Sequence, residues 1–342
     1  MRIKVIAILL ILLFYNSSVS SQTKSKYIPM REYKGQTIWD IANVKEENID
    51  IGLWSLIIAK EYDNSIDINK YLEMLDNYSE EIKRMLAGRN KDMEKFLATK
   101  MFIYDSGKWN DEKPFSYDLD DPLGQIPENQ LLSTYLETRK GNCVSMPTLF
   151  LALMERVDPN VPFHGVNAPL HLFCRLKDRQ TGDVWNVEAT NNGSPARNQW
   201  YIDQMDITQE AVDSGIYLKQ LSKKDYIAEL INILIRKERY KENYEKALQY
   251  TELSLRLSPN SINGLVHKSA LLAWKGYELQ KALKMKGEDR ISPDDHKKLE
   301  AYSIESEKYW NKGLSLGWRP ETKEQRDKYL NEIKNELKNR KE

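Results

Sequence analysis

The stretch TRKGNCVSMPTLFLALM, residues 138–154, places a Gly-Asn-Cys turn directly before an apolar run with helical spacing. Apolar residues recur at three- and four-residue intervals after Cys143, which predicts a mostly buried helix. Pro147 is tolerated only in the first turn of a helix, where backbone amides lack helical acceptors. The helix is therefore predicted to begin close to Cys143, and the helix dipole there favours the thiolate form of the side chain.

Strand-like segments follow this helix. The hydrophobic period changes from about 3.6 to two, and three segments rich in Val, Phe, Leu and Trp alternate apolar and polar residues at 161–167, 171–177 and 183–190. The loop KDRQTGD (177–183) joins the last two segments as a hairpin. We expect an antiparallel sheet packed on the central helix.

Polar residues in this region occur in the order that a cysteine nucleophile requires. Cys143 precedes the helix, His171 lies on one predicted strand, and Asn186 and Glu188 share a face of the next strand. Either Asn186 or Glu188 is expected to bond the far nitrogen of the imidazole and hold its tautomer, as in a nucleophile, base and orienting group. The alternative is that Cys143 fills space in the core, as free cysteines commonly do.

The second cysteine, Cys174, raises two alternatives. A disulfide between Cys143 and Cys174 would make the site inert, but strand alternation places His171 and Cys174 on opposite faces. If His171 faces Cys143, Cys174 points away. A metal site that also includes His164 fits none of the common zinc spacings. We therefore expect no metal and no cofactor.

These residues, together with LWSLIIAKEY (53–62) and GVNAPLHLF (165–173), resemble the transglutaminase-like superfamily, and within it the SirB-type branch. The resemblance implies a papain-type fold in which Cys143 is the nucleophile, His171 is the base and Glu188 replaces the family's aspartate. The Cys143 backbone amide is expected to stabilise an oxyanion, with Asn142 as a candidate second donor.

The predicted fold class is α+β, with a papain- or transglutaminase-like core followed by an all-α region. Apolar stripes predict helices before the site, and the segment 105–128 is predicted to be an ordered loop packed against it. Further on, NYEKALQYTELSLRLSP (243–259) resembles the second helix of a tetratricopeptide repeat. About two such repeats are fewer than independent stability requires, so we expect these helices to pack on the core.

Composition and patterning together predict the organisation of the chain. Its 342 residues suffice for two domains, and 51 basic against 51 acidic residues give no reason to expect a nucleic-acid partner. A protein or peptide is the expected substrate or partner. The predicted divisions are a signal peptide at 1–21, a loosely held lead-in at 22–45, a transglutaminase-like domain at 46–220, a tetratricopeptide-like region at 221–320 and a charged tail at 321–342.

Two functions from different classes follow from these features. The leading hypothesis is an exported, thiol-dependent amide or peptide hydrolase or acyl transferase with a Cys-His-Glu triad. The alternative is a non-catalytic scaffold with a retired site, whose helical-repeat surface binds a peptide or protein.

Export is predicted from the N-terminus. The segment MRIKVIAILLILLFY (1–15) has a basic start and a short apolar core, and the small residues Val19 and Ser21 suit cleavage before Gln22. Periplasmic or secreted protein is expected, with an uncleaved N-terminal anchor as the alternative.

Expression in an exporting host tests this prediction. Because the apolar core ends by Tyr15 and small residues follow, the exported protein should begin near Gln22 when its N-terminus is sequenced. Exported, soluble protein that still begins at Met1 would contradict a cleaved signal.

Overall fold

The computed structural model describes residues 31–285 and 291–325, together with residues 327 and 331. The predicted signal peptide at 1–21 lies outside these residues, as do the start of the predicted lead-in and most of the predicted tail. The segment 286–290 is also outside them.

Helices dominate the described part of the chain, which also contains a two-stranded sheet and a four-stranded sheet. In chain order the α-helices are α1 (Ile51–Tyr62), α2 (Ile68–Leu86), α3 (Asp92–Tyr104), α4 (Leu132–Thr138), α5 (Ser145–Val157), α6 (Asn198–Met205), α7 (Gln209–Asp213), α8 (Lys223–Tyr240), α9 (Tyr244–Leu257), α10 (Ile262–Met285) and α11 (Pro293–Ser315). The strands are β1 (Ser116–Tyr117), β2 (Lys140–Gly141), β3 (Phe163–Ala168), β4 (His171–Lys177), β5 (Val184–Glu188) and β6 (Ser194–Ala196). The predicted α+β class is confirmed.

Strands β3 to β6 form an antiparallel sheet in sequential order. Three of them correspond to the predicted strands, whereas β6 was not predicted because its three residues include Pro195 and show no alternation. Pro169 and Leu170 connect β3 to β4, and Leu170 has a φ of +57°, a backbone conformation that is strained for a leucine. This tight turn places His171 at the very start of β4.

Helix α5 lies at the centre of the core. All its residues from Ser145 to Arg156 are buried, and it contacts α1, α2, α3 and α4 as well as β3 and β4. A helix that is enclosed on all sides must pair its polar groups internally. The guanidinium of Arg156 is accordingly bound by Asp50 at 3.1 Å and by Asp76 at 3.0 Å.

The segment before α1 is more firmly held than predicted. Residues Ile38–Asn43 form a 3-10 helix whose Ile38 and Ile41 are completely buried. Trp39 stacks on Tyr250 of α9 with ring centroids 5.4 Å apart. The expectation of a loose lead-in was therefore wrong for these residues. The sequence signal was weak because only two apolar side chains and one aromatic stack anchor the segment.

The segment 105–128 is ordered and packs beside the central turn. It contains the 3-10 turn Lys108–Asn110 and strand β1, which pairs in parallel with β2 just before Asn142. The amide of Asp118 donates to the carbonyl of Gly141 at 2.7 Å. This segment therefore fixes the approach of the chain to the Gly-Asn-Cys turn.

The C-terminal helices pack on the core, as predicted. Helix α8 contacts α1, and the hydroxyl groups of its Tyr226 and of Thr148 in α5 are 2.8 Å apart in a hydrogen bond. Helix α9 packs on α8, α10 packs on α9, and α11 packs on α10. Among the described residues, no helix is both long and apolar enough to cross a membrane.

Truncation tests whether the stability of the core depends on the C-terminal helices. A chain ending at Gln220 loses α8, and with it a row of buried residues that includes Ile227, Leu230, Ile231 and Leu234. We expect its melting temperature to fall by at least about 10 °C, because each 1 kcal/mol corresponds to about 2–4 °C in a domain of this size. Scanning calorimetry measures the change.

A chain ending at Gln325, which keeps α1 to α11, is the matched truncation control. Two independent transitions that survive separation of 1–220 from 221–342 would contradict the prediction and would show two autonomous domains.

Candidate active site

The Gly-Asn-Cys turn caps α5 and fixes Cys143 at its N-terminus. The Oδ1 atom of Asn142 accepts hydrogen bonds from the amides of Val144 at 3.0 Å and Ser145 at 3.3 Å. Gly141 is required because a Cβ there would lie 2.6 Å from the ring of Tyr135. Cys143 is half-buried, and Pro147 is the third residue of the helix. The thiol thus lies where the amides of the first turn are concentrated.

His171 and Glu188 form a buried pair on neighbouring strands. Nε2 of His171 lies 2.8 Å from Oε2 of Glu188. Burial by itself lowers the pKa of His171, but the Glu188 carboxylate and the Cys143 thiol outweigh it and raise the pKa to about 10. Burial likewise opposes ionisation of Glu188, yet His171 and two hydroxyl groups lower the pKa of this carboxyl. The pair is therefore ionic at neutral pH.

The second ring nitrogen of His171, Nδ1, is not bound by Glu188. Nδ1 is buried and has no hydrogen-bond partner in the described part of the chain. The Cys143 thiol also raises the pKa of this ring. Its Sγ lies 3.7 Å from the carbonyl oxygen of Leu170. With Nε2 held by Glu188, Nδ1 is the nitrogen free to exchange a proton with the thiol.

Two further side chains hold Glu188, and sequence reasoning missed both. The hydroxyl of Tyr201 donates to Oε2 at 2.8 Å, and the hydroxyl of Thr190 donates to Oε1 at 2.7 Å. Tyr201 is completely buried and stacks on Phe173 with centroids 4.2 Å apart. The sequence gives no direct signal for Tyr201, because it reaches the site from helix α6, which follows the sheet. Thr190 could have been predicted from the sequence, since it lies two residues beyond Glu188.

Asn186 does not meet the imidazole, which corrects the expectation that it might orient His171. Its Oδ1 accepts from Nε of Arg175 at 2.7 Å, and its Nδ2 donates to Asn198 at 2.8 Å. Asn186 pairs with Arg175 in the β4–β5 register, and that position is four residues along β4 from His171. Asn186 and Glu188 share a face of β5, but Asn186 lies too far along the strand to reach His171.

Asn142 is completely buried and does not line the cleft, so it is not the side-chain oxyanion donor that was predicted. Its Oδ1 caps the helix, and its Nδ2 donates to the carbonyl of Asn129 at 3.1 Å. The backbone amide of Cys143 is different, because within the described residues it donates no hydrogen bond. That N–H group therefore remains available to a bound substrate.

Both cysteines are free thiols. Cys174 is completely buried on the opposite side of β4 from His171, with its Sγ 3.7 Å from the carbonyl of Pro147. Burial raises the pKa of the Cys174 thiol well above its usual value. In the part of the chain that the structure describes, no group of three or more His, Cys, Asp or Glu residues is arranged to hold a metal ion.

Cys143 and His171 open onto a cleft of about 730 Å³. The lining includes Leu123 and Gln125, so the segment 105–128 forms part of the wall. A helical wall is formed by residues of α8 and α10 and by the turn after α11, including Ile233, Arg236, Arg239, Val266, His267 and Trp318. The site and the C-terminal helices therefore share one cavity, whose size suits a small-molecule or peptide segment.

The pairing of His171 with Glu188 can be tested by titration. In Glu188→Gln the pKa of His171 should fall toward or below 6.5, because the carboxylate that offsets burial is gone. NMR titration of the four histidine rings, with His171→Gln to assign the signal, measures the change. An unchanged pKa in Glu188→Gln would show that the pair is not ionic.

The same pairing determines a pH dependence of stability. Because the folded pKa of His171 is raised, its contribution is fully present below the unfolded value of about 6.5 and is lost as the pH rises through about 10. The stability advantage of the wild type over Glu188→Gln should therefore shrink across that interval in urea unfolding.

Comparisons with known proteins match part of this chain. Residues 69–232 match the family described as the transglutaminase-like superfamily. Two curated relatives, each named UPF0162 protein, come from Xylella fastidiosa strains Temecula1 and 9a5c and are 23% identical over 140 residues. The match covers 41% of this chain and 46% of each relative, so the chain spans about half the length of these relatives. No solved structure gives a significant match. The chain thus contains a transglutaminase-like core, and the matched region includes Cys143, His171 and Glu188.

Proposed function

We propose that this protein is a thiol-dependent hydrolase or acyl transferase that acts on an amide or peptide bond. The observation that supports it is the ionic His171–Glu188 pair, which leaves Nδ1 of the same imidazole beside Cys143 at the mouth of a cleft. A nucleophile, a base and a group that orients the base are the parts that this chemistry requires.

The first half of the reaction forms a thioester. At neutral pH Nδ1 of His171 already holds the proton of the Cys143 thiol, and Glu188 stabilises this imidazolium through Nε2. The thiolate attacks the carbonyl carbon, and the oxyanion accepts a hydrogen bond from the Cys143 amide. When the C–N bond breaks, the Nδ1 proton moves to the leaving amine, which departs with both electrons of that bond.

The second half releases the acyl group. Nδ1 accepts a proton from water, the hydroxide oxygen attacks the thioester carbonyl, and Cys143 leaves as a thiolate beside the imidazolium, which restores the starting pair. With water the product is a carboxylic acid, and with an amine in place of water the product is a new amide. We favour hydrolysis, since it needs no second substrate in the cleft.

A second oxyanion donor is available in place of Asn142. Gln130 is buried and lines the cleft with Cys143. Its Nε2 donates one hydrogen to the carbonyl of Gly124 at 2.9 Å, and an amide nitrogen carries two. We assign the second hydrogen to the oxyanion.

Export and the scaffold alternative also remain proposals. We propose that the protein acts outside the cytoplasm, on the basis of the N-terminal segment described above. A scaffold with a retired site is the competing function, and the helical wall of the cleft supports it as a peptide-binding surface. The two functions differ in whether Cys143 is an activated nucleophile.

A pH series of alkylation rates separates them. Cys143 should react with iodoacetamide at mildly acidic pH, because the adjacent imidazolium and the helix N-terminus stabilise a thiolate. In His171→Ala the labelling rate at mildly acidic pH should fall, because the adjacent imidazolium is gone. Glu188→Gln should move the profile in the same direction. Peptide mass spectrometry reads the labelling at each cysteine.

The chain provides two internal controls. Asn186→Ala should leave the profile unchanged, because Asn186 bonds Arg175 rather than His171. Cys174 should stay unlabelled in the folded protein because it is buried. A Cys143 that reacts only at alkaline pH in the wild type would favour the scaffold.

A further inference from the structure

The helical wall of the cleft carries two basic side chains that form no salt bridge within the described part of the chain. Arg236 and Arg239 lie on α8 and line the cavity that Cys143 and His171 share. Both guanidinium groups make hydrogen bonds to neutral acceptors, and neither forms a salt bridge with a carboxylate in residues 31–285 or 291–325. Such a pair of cations at a cavity wall attracts an anionic ligand.

His267, between them, does not add to this charge. NH1 of Arg239 donates to Nδ1 of His267 at 2.9 Å, and Nε2 of His267 donates to Oδ1 of Asn232 at 2.8 Å. Burial, followed by the charges of Arg239 and Arg236, lowers the pKa of His267 to about 3. The imidazole is therefore neutral, and it orients Arg239 as an acceptor. Arg236 and Arg239 are three residues apart on α8, so they lie on the same face of this helix.

Arg236 connects this charge to the site. Its NH2 donates to the carbonyl of Gln125 at 2.8 Å, and its NH1 donates to that of Gly124 at 3.2 Å. A Cβ on Gly124 would lie 3.1 Å from Nδ2 of Asn142, the residue that precedes the nucleophile. Arg236 is therefore linked to the turn that carries Cys143 through Gly124 and Asn142.

The acidic groups that line the cleft do not pair with either arginine. Glu229 accepts hydrogen bonds from Ser261 and Asn263, and burial raises its pKa. Asp206 accepts from Gln325 at 2.8 Å. Glu321 is exposed at the rim and makes no salt bridge with either arginine. The positive charge of α8 is thus available to a ligand.

We infer that the cleft recognises an acyl substrate that bears a carboxylate, and that Arg236 and Arg239 bind this group while Cys143 meets the scissile carbonyl. The identity of the bond rests on the function proposed above, whereas the carboxylate site does not. The carboxylate has two sources in a peptide, an acidic side chain and a free C-terminus. The apolar side chains of Ile233 and Val266 border the arginines and suit the intervening chain.

Charge-matched affinity labels test this site without requiring turnover. Iodoacetyl peptides alkylate Cys143, and a glutamate peptide amide is compared with its glutamine counterpart, with and without glycine spacers. A third peptide has glutamine and a free C-terminal carboxylate. The rate ratio cancels the nucleophilicity of the thiol, so it reports the carboxylate site even if Cys143 is not catalytic.

We expect the carboxylate to raise the labelling rate about threefold to tenfold for at least one spacer, as a partly solvated charge-assisted contact would. The preference should fall as salt is added. Arg239→Gln and Arg236→Gln should each reduce it, and Arg239→Lys should keep part of it. Arg256→Gln is the matched control, since Arg256 is exposed and does not line the cleft.

Calorimetric binding of the acetylated, unreactive peptides gives a second readout that is independent of labelling. Preference for the glutamate peptide identifies an acidic side chain, and preference for the free terminus identifies the C-terminal carboxylate. Equal rates and equal affinities for charged and neutral peptides overturn the inference, as does a preference that survives both arginine substitutions. Activity with neutral substrates alone would leave the proposed function intact and refute only this site.

Discussion

Complete enclosure of helix α5 is the constraint on which the rest of the structure depends. A helix buried from Ser145 to Arg156 needs protein on every side, and α1 to α4 and the sheet supply it. The exception is the N-terminal turn, where Cys143 is only half-buried. Because the amides of the first turn have no helical acceptors, this is also the point where an enclosed helix most needs polar partners. The capping by Asn142 and the opening of the cleft follow from the same constraint.

The His171–Glu188 pair presents the opposite problem, since it places two charges where burial disfavours both. Ionising a buried carboxyl is costly unless several hydrogen bonds hold its oxygens. Tyr201 and Thr190 each donate to Glu188, and His171 donates as well, so each oxygen of the carboxylate has a partner. A carboxylate held in this way fixes the orientation of the His171 imidazole. The strained backbone of Leu170 fits the same pattern, because it fixes where β4 and His171 begin.

Much of this arrangement could be predicted from local patterns. The change of hydrophobic period after Asp158 identified β3, β4 and β5, and the position of Pro147 identified the start of α5. The three residues Cys143, His171 and Glu188 could be named because each lies at a definable position on one of these elements. That the three side chains come together in space is seen only in the structure.

The parts that escaped prediction depend on contacts between distant segments. Tyr201 reaches Glu188 from a short helix with no apolar stripe, and Trp39 is held by Tyr250, more than two hundred residues away in the chain. Asn186 and Asn142 were misassigned for a related reason. Their residue types fit the expected roles, but Arg175 and the amides of the helix start compete for the same polar atoms. Residue type alone does not decide between competing partners.

The shared cleft links the two parts of the chain more closely than their sequences suggest. If the C-terminal helices were an appended binding module, their surface and the site would have separate cavities. Instead α8 packs on the core through Tyr226 and Thr148 and presents Arg236 to the segment that leads into Cys143. One helix thus stabilises the core and lines the cleft. A peptide bound along α8 and α10 would extend toward the thiol, so that recognition by the helices and chemistry at the turn would act on the same molecule.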